Sequence, residues 1–134
     1  MILVDTNVFM ELVFGRSRAI ECRVMLNRMS EGEVSGVVTR FSVHAVEAIL
    51  GGKAKDKLNP FLRGLEQTQG LSIYETSTTD EIAASMVMEK IKRDFDDSLQ
   101  YYVAKKLGVE SIVSFDKDFD GLDIPRREPK DINA

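Results

Sequence analysis

One cysteine, Cys22, is all the thiol this chain has, so it can form no internal disulfide and offers no zinc cluster built on thiolates. Cys22 falls with Met25, Leu26 and Met29 at helical spacing, which places it on a core stripe as a small buried hydrophobe. No apolar run approaches the ~20 residues a bilayer-spanning helix needs, which argues against a membrane protein. The amino terminus shows neither the basic flank nor the apolar stretch of a secretory leader, and a reduced, cytoplasmic setting is the expectation. Also missing is any excess of basic residues. The net charge of −4 excludes a general nucleic-acid coat protein. It leaves a nuclease open, because an acidic metal site lowers net charge while local basic patches still hold phosphates. Repeats, low-complexity segments and linkers are absent too, and 134 residues that are 43% apolar and 30% charged fit a single domain, 1–134.

What is present reads as alternation. "ILVD" (2–5) is an apolar first strand, and a short helix follows at Val8 to Val13. "GRSR" (15–18) breaks before a longer helix that runs to about Arg28. "VSGVV" (34–38) is a second strand, and "TRFSVHAVEAILGG" (39–52) is a capped helix closed by glycines. Asn59-Pro60 reads as a cap and first-turn pair opening another helix. "LSIYET" (71–76) is a third strand, and "TTDE" (78–81) has capping-box spacing ahead of a stripe through Ala84, Val87, Met88, Ile91 and Phe95. "DDSLQYYVAKKLG" (96–108) is a helix stopped by Gly108, "SIVSFD" (111–116) a fourth strand, and "LDI" before Pro125 a short edge strand. Strands separated by helices require crossovers, so the expected fold is a three-layer α/β/α sandwich on a mainly parallel sheet of four to five strands.

In such sheets functional groups gather outside the carboxyl ends of the strands. Asp5 ends the first strand and Asp116 the fourth. Each has an ordinary alternative: Asp5 can cap the helix behind it, and Asp116 shares a turn-rich loop with Asp118 and Asp120. Glu47 lies among Val43, Val46 and Leu50 on its helix, and a carboxylate in an apolar stripe is rarely buried unless it is paired or coordinates something. His44, one turn earlier, reads as a structural or surface group. "DFDD" (94–97) puts acids at a helix start, where the macrodipole favours them, and spacing alone does not choose between Asp96 and Asp97. Converging carboxylates repel unless a cation joins them, and hard oxygen ligands suit Mg²⁺ or Mn²⁺, one ion or two.

Taken in order, these motifs resemble the PIN-domain family, in particular VapC-type toxin ribonucleases. Asp5, Thr6 and Asn7 match the family's strand-ending Asp-Thr-Asn, Glu47 its helical acid, and Asp97 its helix-opening acid eleven residues before Gly108. Ser114 and Asp116 match its Thr/Ser-x-Asp step, with Ser114 standing where Thr is commoner. Tyr101 and Tyr102 replace the small residues often found in that helix. The resemblance implies a metal-dependent endoribonuclease that cuts RNA phosphodiesters, with Asp5, Glu47, Asp97 and Asp116 as metal-binding and catalytic acids. Thr6, Asn7 and Ser114 would orient them. It also implies a homodimer and a cognate antitoxin whose tail blocks the site.

RNA must be held as well. Arg16 and Arg18, close in sequence to the first strand end, are the preferred phosphate contacts, with Lys53, Lys55, Lys57, Arg126 and Arg127 as further candidates. Lys90, Lys92 and Arg93 read as an ordinary exposed helix face. Three other readings compete: an RNA-processing PIN nuclease outside any toxin–antitoxin pair, a catalytically silent interaction module, and a phosphatase- or receiver-like domain. The last is disfavoured because "DTN" lacks a second acid two residues after Asp5.

Overall fold

Leu3 of the first strand faces one core while its neighbours Ile2 and Val4 face another, so β1 (Ile2–Val4) is covered on both sides. The computed structural model describes residues 1–134. After β1 come α1 (Thr6–Val13), α2 (Ala19–Ser30), β2 (Gly36–Thr39), α3 (Arg40–Lys53), α4 (Lys55–Gln67), β3 (Leu71–Tyr74), α5 (Thr78–Ile91) and α6 (Phe95–Leu107). β4 (Ser111–Val113), a 3₁₀ turn at Lys117–Gly121, β5 (Arg126–Arg127) and α7 (Pro129–Asn133) complete the chain. The five strands lie in the order β3-β2-β1-β4-β5 and every pairing is parallel.

Two helical layers sandwich this sheet. Ile2, Val4, Val38 and Val113 pack against α1 to α4, where Cys22, Met25 and Met29 supply the α2 stripe. Leu3, Val37 and Ile112 pack against α5, α6 and the 3₁₀ turn, through Ala84, Leu99, Val103 and Phe119. The expected α/β/α sandwich is therefore the observed one. The strand order also fixes where a site can lie. The chain winds outward from β1 through β2 to β3, then returns to add β4 on β1's other side. Beyond the carboxyl ends of β1 and β4 the order reverses, and crossovers leave from the two strands in opposite directions, which opens a crevice there.

Several boundaries differ from the sequence reading. The strands are shorter, because Asp5 already takes the N-cap position of α1. Pro60 does not open a helix but sits inside α4, which begins at Lys55. Proline removes one helical hydrogen bond, and α4 carries it because Phe61, Leu58, Leu62 and Leu65 dock on the core. The capping box of α5 is one residue earlier than expected: Ser77 Oγ accepts from the Asp80 amide and Asp80 accepts from the Ser77 amide. The edge strand follows Pro125 rather than preceding it, and α7 was not anticipated. Gly108 stops α6 as expected, at φ 65°, a left-handed conformation that glycine adopts without a Cβ penalty.

Candidate metal centre

Asp5 has the backbone of a helix cap and the side chain of something else. Its φ and ψ are extended and its amide donates to Val113 O at 2.9 Å, continuing the β1–β4 pairing. Yet its carboxylate caps nothing. Instead Ser114 Oγ donates to Oδ2 at 2.6 Å and Gln100 Nε2 donates to Oδ1 at 2.8 Å. Ser114 is itself fully buried and held by Asn7, whose Nδ2 donates to Ser114 Oγ at 3.2 Å and whose Oδ1 accepts from the Phe115 amide at 3.3 Å. The Asp116 amide donates to the same Ser114 oxygen at 2.9 Å. The ends of β1 and β4 are thus tied into one platform beneath the Asp5 carboxylate.

α6 brings the other acids. Asp94 caps it, accepting from the Asp97 amide at 2.9 Å, and Asp96 and Asp97 occupy its first turn. One carboxylate oxygen from each of Asp5, Asp96 and Asp97 lies within 4.8 Å of the other two. Asp96 Oδ1 is shut off from solvent with no hydrogen-bond partner, and its Oδ2 takes a long 3.5 Å contact from Thr6 Oγ1. Burial, and then the nearby Asp5 charge, pushes the Asp96 pKa up to about 6. Burial and Asp94 do the same to Asp97, also to about 6, against the pull of Arg93. Burial likewise raises Asp5, although Ser114 and Gln100 oppose it. An orphaned buried oxygen among three crowded acids with raised pKa values fits a hard divalent cation.

On the far side of Asp97 stands Arg93. α5 ends in a left-handed turn at Lys92, φ 55°, the only non-glycine residue with positive φ, and this turn sends Arg93 inward. Arg93 Nη2 is bonded to both Asp97 Oδ2 and Asp116 Oδ2, the latter at 2.8 Å, and Nη1 reaches Asp118 Oδ2 at 2.9 Å. Its side chain is only 13% exposed and lies 5.1 Å from the centroid of the buried Phe119 ring. The expectation of an exposed helix face is wrong for this residue. Burial works against the Asp116 carboxylate, but the Asp118 amide and Arg93 together hold its pKa below the usual value.

The sequence pattern of the PIN domain matches residues 2–125. The chain belongs to the PIN-domain family. VapC20 of Mycobacterium tuberculosis, a toxin that cleaves the sarcin–ricin loop, superposes with a TM-score of 0.73 at 16% identity, over 92% of this chain and 96% of that one. A toxin–antitoxin complex from Klebsiella pneumoniae gives 0.73 at 16%, over 96% and 98%. FitAcB from Neisseria gonorrhoeae gives 0.63 at 16%, over 97% and 99%. At that identity the likeness establishes the fold. No curated protein matches the sequence.

The acids assigned by the PIN resemblance are placed unequally. Asp5 and Asp97 share the three-acid group, and Asp116 is joined to it through Arg93. Asp96, left undecided by spacing, is in the group; Asp118 reaches Arg93 only. Glu47 is outside it. Val43, Val46 and Leu50 form the buried line of α3, while Glu47 flanks that line with a 32% exposed side chain, 3.9 Å from His44 Nε2. Arg18 holds its guanidinium 3.7 Å over the Phe115 ring and 3.6 Å from the buried Glu11, which also accepts from the Arg18 amide at 2.8 Å; Arg16 is exposed. The cleft between α1, α2 and α4, about 500 Å³ and lined by Phe9, Leu12, Phe61 and Leu65 among others, lies away from the acids. Sequence reasoning missed Gln100 and Arg93. Gln100 was detectable, since it follows Asp96 by four residues and Asp97 by three, on one face of α6.

Proposed function

We propose that this PIN domain is a divalent-metal-dependent endoribonuclease, the toxin of a toxin–antitoxin pair. One observation carries the reading: three carboxylates converge at the sheet's reversal point, one with a buried oxygen that nothing in the chain satisfies. Asp5, Asp96 and Asp97 would hold Mg²⁺ or Mn²⁺. A bound ion supplies Lewis acidity toward a phosphodiester and a water of lowered pKa. The chain's own residues do the rest. Ser114 and Gln100 aim the two Asp5 oxygens and leave their remaining lone pairs for a ligand. Asn7 fixes Ser114, and Thr6 touches Asp96. Arg18, with a 42% exposed side chain beside Phe115, offers a guanidinium to the RNA backbone, with Arg16 next to it. Glu47 is kept as a fourth acid on the family resemblance alone; a Glu47→Gln variant cleaving at the wild-type rate removes it.

The test is a metal-stripped preparation incubated with RNA. Cleavage should be absent in EDTA and return with Mg²⁺ or Mn²⁺; cleavage that persists without metal refutes the reading. The toxin assignment draws on the VapC20 and Klebsiella toxin–antitoxin likenesses over nearly the full chain. Induced expression should arrest growth, and a small protein encoded beside it should reverse the arrest and co-purify. Harmless expression favours an RNA-processing role instead. We also propose a cytoplasmic homodimer, checked by sedimentation at twice the chain mass. No helix is long and apolar enough to cross a membrane.

A further inference from the structure

Resting on the metal reading above, we infer that Arg93 is a resident cation standing where a second metal ion would bridge Asp97 and Asp116, so that the site loads one divalent ion and not two. A single nitrogen, Arg93 Nη2, is within bonding distance of Asp97 Oδ2 and Asp116 Oδ2 at once. An ion held by those same two oxygens would compete with that nitrogen for them. Arg93 is not free to yield them. Its other terminal nitrogen binds Asp118, its guanidinium carbon sits 5.1 Å from the centre of the Phe119 ring, and the left-handed turn at Lys92 fixes the backbone that carries it.

The acids divide accordingly. Asp116 and Asp118 make their cationic contacts with Arg93, while Asp5 and Asp96 have no basic residue within pairing distance. Asp97 belongs to both sets: it lies in the three-acid group and pairs with Arg93. A guanidinium is planar, permanently charged and able to serve several carboxylates through separate N–H groups, which a hydrated ammonium does less well. The Nε of the same group has no partner and no solvent, as expected if the terminal nitrogens, pulled to the acids, set its position. Arg93 therefore acts as a positioning residue. It holds Asp97 and Asp116 at a fixed separation and neutralises the 3₁₀-turn side of the site.

Mn²⁺ titration of the intact metal-stripped chain, followed by calorimetry and by the spin-resonance signal of free Mn²⁺, tests this without reference to turnover. Wild type should bind one Mn²⁺ per chain. Arg93→Gln should bind two, and adding Asp116→Asn to it should return the count to one. Asp116→Asn alone, which spares Arg93 should that variant fail to fold, should keep one ion at no more than about tenfold weaker affinity, the low end for an outer contact. Two ions on wild type, one on folded Arg93→Gln, or none on Asp116→Asn overturns the inference. No ion on wild type overturns the metal reading as well, which separates the two failures.

Discussion

Asp80 and Asp5 are 3% and 5% exposed, yet the chain treats their carboxylates in opposite ways. Asp80, in the first turn of α5, accepts from Lys106 Nζ at 2.7 Å, the Ser77 amide at 3.0 Å and Tyr74 Oη at 3.1 Å. Lys106 foremost, then the Ser77 amide, draws its pKa down to about 2. Asp5 receives two neutral donors and no cation, and its nearest charged neighbours are acids. Where the fold needs a buried carboxylate for its own stability, it supplies the counter-charge. At the end of β1 it supplies orientation and withholds the charge, which leaves the place for an external cation. Burial alone does not separate a structural acid from a functional one; the list of partners does.

Exchanging the acids one at a time should break the symmetry between these two positions. Asp5→Asn keeps the shape and removes a ligand, so turnover should fall by more than the roughly 10–100-fold typical of an outer contact, with the unfolding midpoint little changed. Asp80→Ala should do the reverse. It loses a cap and a pairing whose Lys106 partner is 45% exposed and screened, and should cost about 2 kcal/mol in urea unfolding with metal affinity unchanged. If Asp5→Asn cleaves RNA at the wild-type rate, or Asp80→Ala abolishes Mn²⁺ binding, the contrast is false. Ser114→Ala should have a smaller effect than Asp5→Asn: Asp5 Oδ2 loses its donor, and Mn²⁺ affinity should weaken about tenfold or somewhat more. Unaltered affinity would show that Ser114 serves the β4 turn alone.

The sheet was legible because short apolar strands alternate with helical stripes, and both patterns survive contact with the core. The ends were less so. Asp5 reads equally as strand and cap, and its backbone is in fact both. Adjacent residues point about 100° apart on a helix, so Asp96 and Asp97 looked like alternatives. Both reach the group because it lies off the end of α6, where their first-turn side chains converge. Arg93 was illegible for a different reason. Its burial depends on a left-handed residue between α5 and α6, and that residue is Lys92, a type with no preference for the conformation. Nothing in the hydropathy pattern marks such a turn. Glu47 shows the opposite error: a pattern of Val43, Val46 and Leu50 enclosed it on paper, while in space they form a line that it flanks.

The smallest effect sharpens the comparison through pH. In the metal-free fold Asp96 and Asp97 titrate near 6, whereas in the unfolded chain they titrate near the ordinary ~4. Between those values the native state holds protons that the unfolded state has lost, so stability falls as pH rises through the window and stays lower above it. Allowing for their partial exposure, the loss should be on the order of 1 kcal/mol. Asp80 acts with the opposite sign. Its depressed pKa contributes stability that is present above the ordinary carboxylate value and is lost as pH falls toward about 2. Thermal unfolding of stripped protein should therefore show a lower midpoint at pH 7 than at pH 4.5, and Asp96→Asn should flatten the difference. Saturating Mn²⁺ should reverse it, because the ion binds the deprotonated acids and stabilises the fold in proportion to its occupancy. A stripped protein equally stable at both pH values, with Asp96→Asn indistinguishable from wild type, would mean that the three acids are not crowded in solution, and that the chain leaves no charge there for a metal to balance.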